Sequence, residues 1–192
     1  MTATAAGRWK PVAGLLASAA LAAATLAQAA PPHQHGVAHL DIALDGAWLT
    51  VDFNSPLDNL VGFERPPRNE RERGLVREAA RKLREGALVE PPAAAACKLE
   101  SVQFDAPWLD PALLAAPGAS APAAKRPPGT TPDHTELGAL MQFRCAEPGA
   151  LTELQVRLAE AFRGIQKIEV RIVGPAGQQR RSMGRGARTL RL

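Results

Sequence analysis

Three of the chain's four histidines, His33, His35 and His39, sit in one short stretch, PPHQHGVAHLDIAL, and the fourth, His134, lies far along the chain. Neutral imidazole ligates zinc, copper or nickel. His33 and His35 share a side if their segment is extended. His39 falls on an alternating strand, on the face opposite Leu40 and Ile42. Three imidazoles and one further nitrogen or oxygen would complete a tetrahedral site. The remaining donors would come from His134, Asp41, Asp133, Glu136 or Glu64. The expected metal set is therefore His33, His35, His39 and His134. The HxH spacing is common, however, and two histidines near a free end can equally be solvated and idle. Spacing alone leaves both readings open.

No catalytic residue stands out beside them. The chain lacks GxSxG, HExxH, a P-loop and GxGxxG. It has two cysteines, Cys97 and Cys145, and neither has a histidine close in sequence. An even pair in an oxidising compartment reads first as a disulfide. The alternative, that both ligate zinc, lacks a CxxC spacing. The expectation is a protein that is not an enzyme.

The elements that must position these residues begin after a targeting segment. Arg8 and Lys10 precede an uncharged Ala/Leu-rich run that ends in Ala27-Gln28-Ala29. This is the layout of a secretory signal peptide over residues 1–29, rather than an uncleaved anchor. Residues 30–192 are enough for one domain with its own core. The formal net charge of +4 falls by two once Arg8 and Lys10 are removed, which gives no reason to expect nucleic acid. Arg180, Arg181, Arg185, Arg188 and Arg191 read as a solvated strand and turn. No later segment is apolar for long enough to span a bilayer, so no membrane insertion of the mature chain is expected.

VAHLDIALDGAWLTVDF reads as a hairpin turning at Asp45-Gly46. Asn69, with Glu72 three residues later, predicts the start of a helix whose stripe is Leu75, Val76, Ala79, Ala80 and Leu83 and which Gly86 closes. CKLESVQFDA and HTELGALMQFRC read as two strands. Paired antiparallel, they set Cys97 against Cys145, Leu99 against Phe143 and Ser101 against Met141. Residues 109 to 132 are Ala/Pro-rich and read as a mobile loop. LTELQVRLAEAF suits helix or strand, QKIEVRIVGPAGQQ is a strand ending in a turn, and ARTLRL is a terminal strand. The fold class is α+β: a single domain with a largely antiparallel sheet, one main helix and one long disordered loop.

Taken in order, HGVAHLDIALDG, NLVGFERPP, CKLESV, FRC and IEVRIVGPAGQQ resemble a bacterial envelope family. Its best-known members are ZrgA-like periplasmic zinc-binding proteins of zinc-uptake systems. The resemblance runs from about His33 to the C-terminus. It implies an exported, periplasmic protein that binds zinc through histidines and works beside an ABC-type transporter. Copper or nickel would suit the same donors. The chain departs from the family pattern in two places. Residues 109 to 132 carry no histidine, and Arg65 follows GFE where relatives often have histidine. The alternative function is a disulfide-bonded envelope module that docks on a transporter or another exported protein, with its histidines incidental.

Overall fold

Alternation of apolar and polar residues builds the centre of the molecule. The computed structural model describes residues 34–116 and 135–192. The expectations for residues 1–29, His33, Asp133, His134 and most of the Ala/Pro-rich loop lie outside them. Val37–Asp45 (β1) and Trp48–Pro56 (β2) form the hairpin, with Ala38, Leu40, Ile42, Leu49, Val51 and Phe53 buried on one face. The turn lies one residue later than Asp45-Gly46. Asp45 pairs with Trp48, and the loop is Gly46-Ala47. Gly46 takes φ +55 while Ala47 keeps a negative φ, which is the demand of a type II′ turn with glycine first.

The chain leaves β2 through a short helix, Leu57–Val61 (α1), and enters the main helix, Glu70–Arg84 (α2). Asn69 caps α2 by accepting from the Glu72 N–H, as the sequence predicts. Val76, Ala79, Ala80 and Leu83 are buried, while Leu75 at the margin of the stripe is 42% exposed. Gly86, at φ +69, follows the helix end.

Val89–Glu90 (β3) is brief, and Cys97–Asp105 (β4) and Glu136–Cys145 (β5) are the two cysteine strands. The ambiguous segment is both things in turn: a strand, Glu153–Val156 (β6), then a single helical turn, Leu158–Ala161 (α3). Lys167–Gly174 (β7) and Gly177–Gly184 (β8) form a second hairpin, and Thr189–Arg191 (β9) ends the chain. Arg180 and Arg181, read as part of a solvated strand and turn, lie on β8, which buries only Met183 and so shows no alternation that would fix its bounds.

Six strands form the main sheet in the order β4-β5-β2-β1-β7-β8, and β3-β6-β9 form a smaller one. Every pairing among the described residues is antiparallel except β1 with β7. The inner face of the main sheet, the buried stripe of α2 and the small sheet share one core, with Phe53, Leu83, Met141, Leu154 and Ile168 fully buried. Burying a side chain of this size stabilises the fold by about 1.5–3 kcal/mol.

Two sequence expectations shift here. Cys97 does pair with Cys145, and they are disulfide-bonded, with Leu99 opposite Phe143. A bulge between Leu99 and Ser101 then sets Ser101 against Gln142 instead of Met141, and Val102 takes the place beside Met141. The extra residue turns Val102 and Phe104 toward the core. The first residues assigned to the loop are also packed. Leu109 and Leu113 are buried and Pro111–Leu113 form a 3₁₀ turn, while Trp108, just ahead of the loop, is buried and donates its indole N–H to the Glu136 carbonyl at 2.7 Å. No helix among the described residues is long and apolar enough to cross a membrane.

Candidate metal centre

The β1–β2 ladder decides what faces the first described histidine. Its outermost pair is His39 with Asn54. Four residues before His39 is His35, and four residues beyond Asn54 is Asp58, the second residue of α1. The two meet just past the end of the ladder. His35 Nδ1 lies 2.7 Å from Asp58 Oδ2 and 3.7 Å from Glu64 Oε1. The ligand atoms of the three residues all fall within 4.8 Å of one another. The His35 side chain is 71% exposed, and Asp58 and Glu64 are partly covered.

Each carboxylate is held from behind. The backbone N–H of Leu57, fully buried at the start of α1, donates to the Thr135 carbonyl at 2.8 Å and ties the short helix to the head of β5. Gly62, at φ +87, ends α1 by donating to the Asp58 carbonyl, and the chain turns so that Glu64 comes back over His35. Arg65 next to it reaches the other way, into a two-pronged pair with Glu72 of α2, and its guanidinium lies over the Phe63 ring.

The electrostatics favour a cation at this spot. The hydrogen bond to Asp58, the Asp58 charge and the Glu64 charge raise the His35 pKa above its ordinary value. Asp58 Oδ1 is buried and has no hydrogen-bond partner among the described residues. That lone acceptor is a deficit which a cation on the same carboxylate relieves. One imidazole nitrogen and two carboxylates are a normal zinc donor set. Zinc bonds of about 2.0–2.2 Å place tetrahedral neighbours roughly 3.3 Å apart, between the two separations seen here. A zinc ion bound here would be held by His35, Asp58 and Glu64, with water or a further ligand completing the shell.

The other expected ligands are placed differently. His39 is exposed on the outer face of β1, between its register partners Asn54 and Glu169, and is not part of the His35 group. Asp41 is engaged in a two-pronged pair with Arg171. Glu136 stands at the head of β5 in register with Pro56. Cys97 and Cys145 are joined to each other, so neither offers a thiolate. Glu64 was among the sequence candidates and is in the group. Asp58 was missed, although the hairpin register carried the signal for it.

The family model described as ZrgA family zinc uptake protein matches residues 32–192, the whole of the described fold. No curated protein matches the chain. A match over that span, well over half of the chain, shows that the protein belongs to the ZrgA family of zinc uptake proteins.

Proposed function

We propose that this protein is an exported, periplasmic zinc-binding accessory factor. It would hold zinc as cargo for uptake, beside an ABC-type transporter component, and catalyse no reaction. The observation that carries this reading is the exposed His35–Asp58–Glu64 group. A cargo site must load and unload, and a donor set open to solvent on one side suits exchange better than a closed structural site. The donors alone do not select zinc over copper or nickel; the family supplies zinc. His33, two residues ahead of His35 in sequence, and His134, which precedes Thr135, remain the proposed supplementary ligands. His39 is proposed as a ligand only if a bound ion draws the start of β1 outward.

Calorimetric titration of the purified, metal-stripped protein with zinc tests this. One saturable site is expected, weakened at least tenfold in His35→Ala, Asp58→Asn or Glu64→Gln. Parent-like affinity in the triple variant would move function to a docking role without a metal site.

A further inference from the structure

Asn59 is a buried amide beside the metal group. It is 3% exposed, on the five-residue helix α1, next to Asp58. Its side chain makes three hydrogen bonds. Oδ1 accepts from the Gly36 N–H at 2.7 Å. Nδ2 donates to the Val37 carbonyl at 2.9 Å and to Ser55 Oγ at 3.1 Å. One carboxamide thus satisfies the Gly36 N–H and the Val37 carbonyl together, a donor and an acceptor on consecutive residues that the turn at Gly36 brings to one side. It extends the β1–β2 ladder past its last backbone pair by means of a side chain.

We propose that Asn59 is the positioning residue of the zinc site, fixing the His35–Gly36 turn on helix α1 so that His35 is held over Asp58 before metal arrives. This rests on the reading of His35, Asp58 and Glu64 as the ligands. Three further features support it. Gly36 sits at φ +81, a state glycine enters without strain but also leaves freely, so contacts from outside the turn must order it. The Gly36 carbonyl accepts from the N–H groups of both Gln166 and Lys167, at 2.8 and 2.9 Å, which fixes the turn from the β7 side. A Cβ on Gly164 would lie 2.4 Å from the Asn59 Cα and carbonyl oxygen, so the chain entering β7 runs directly against Asn59. The turn is gripped between α1 and β7, and Asn59 bonds its backbone on the α1 side while Asp58 bonds the His35 ring. Outer partners of this kind set ligand orientation, and their loss commonly weakens metal binding 10–100-fold.

The test compares Asn59→Ala, His35→Ala and Leu190→Ala, using zinc affinity by competition with a chromophoric chelator and the visible absorption of bound cobalt(II). Leu190 is buried in the small sheet and makes no part of the site, so its variant controls for lost stability alone. Asn59→Ala should bind zinc at the parent's stoichiometry but at least tenfold more weakly, with an altered cobalt spectrum. Leu190→Ala should keep both the parent affinity and the parent spectrum. Parent-like affinity and spectrum in Asn59→Ala, while His35→Ala loses the metal, would overturn the positioning role and leave the site reading intact. Retained binding in His35→Ala would overturn the site reading, and the positioning role with it. Equal losses in Asn59→Ala and Leu190→Ala would also overturn the positioning role. If Asn59→Ala does not fold, Ser55→Ala, which removes only the hydroxyl contact, carries the test: a two- to threefold loss supports the role and an unchanged affinity overturns it.

Discussion

Arg65 and Glu72 form a two-pronged ion pair, with Arg65 Nη1 and Nη2 at 2.7 and 2.8 Å from the two carboxylate oxygens of Glu72. The Arg68 backbone N–H donates to the same carboxylate at 2.7 Å. The pair pins the strap that carries Glu64 to the first turn of α2. The Arg65 guanidinium is engaged with Glu72 and so holds the neighbouring Glu64 in place instead of joining the metal group. Arg65→Ala should therefore weaken zinc binding while all three ligands remain. A calorimetric titration indistinguishable from the parent would show that Glu64 does not depend on this anchor.

The same pair sets part of the acid sensitivity. The hydrogen bonds from Arg65 and Arg68 pull the Glu72 pKa down to about 2. A carboxylate whose folded pKa is depressed adds stability that is complete above the unfolded value, near 4.3. That stability is lost as pH falls through the folded value. Glu72→Gln should thus flatten the decline in urea stability between about pH 4.5 and 2. If parent and variant lose stability in parallel across that window, the pair contributes nothing there.

His35 works in the opposite direction. Asp58 and Glu64 raise its pKa, so they also hold a proton that zinc must displace. Zinc affinity should fall as pH drops, and the fall should begin above the ordinary imidazole value of about 6.5. For the metal-free protein, the sign for stability is reversed. A raised histidine pKa gives stabilisation that is fully present below the unfolded value and is lost as pH rises through the folded one. Imidazole proton shifts of the metal-free protein, followed against pH, read the value directly. A His35 midpoint at or below the ordinary value would contradict the arrangement.

The disulfide supports the sheet rather than the metal. Cys97 and Cys145 are 48 residues apart and join β4 to β5 at the far end of the ladder from Gly138 and Asp105. A closed loop of that size is worth about 4 kcal/mol in the chain-entropy model. The double Cys→Ser variant should lose about 2–5 kcal/mol in urea unfolding. Its zinc affinity, measured where it remains folded, should match the parent. A large loss of zinc binding in the folded variant would tie the bridge to the site instead.

Much of this fold could be read from period-two patterns. The β1–β2 hairpin, the cysteine strands and β7 each bury alternate residues, and each was visible. The α2 cap was visible because Asn69 and Glu72 stand at cap spacing. The metal group was only half visible, for a geometric reason. Moving a hairpin turn by one residue moves every cross-strand partner by two. A turn centred on Asp45-Gly46 sets His35 opposite Pro56, and only the true turn, at Gly46-Ala47, sets it opposite Asp58. The bulge after Leu99 hid the true partner of Ser101 in the same way. Composition also misled at Leu109–Leu113, where buried apolar side chains lie at the edge of an Ala/Pro-rich tract.

The histidines themselves provide the sharpest comparison. His35 and His39 are four residues apart on the same segment, yet they stand in different surroundings. His35 is held by Asp58 with Glu64 beside it; His39 lies on the outer sheet face beside Asn54 and Glu169. A rigid strand position lowers the ordering cost of a ligand, which favours His39 when only the sequence is known. Two pre-placed carboxylates outweigh that advantage, because His39 has only Glu169 in register beside it and is not part of the three-residue group. His35→Ala should therefore weaken zinc binding at least tenfold, and His39→Ala by less than about threefold. Titrating each single variant and the pair by calorimetry checks the order. If His39→Ala costs as much as His35→Ala, the bound ion sits farther along β1 than the His35–Asp58–Glu64 group, and the start of the strand must rearrange to bring it there.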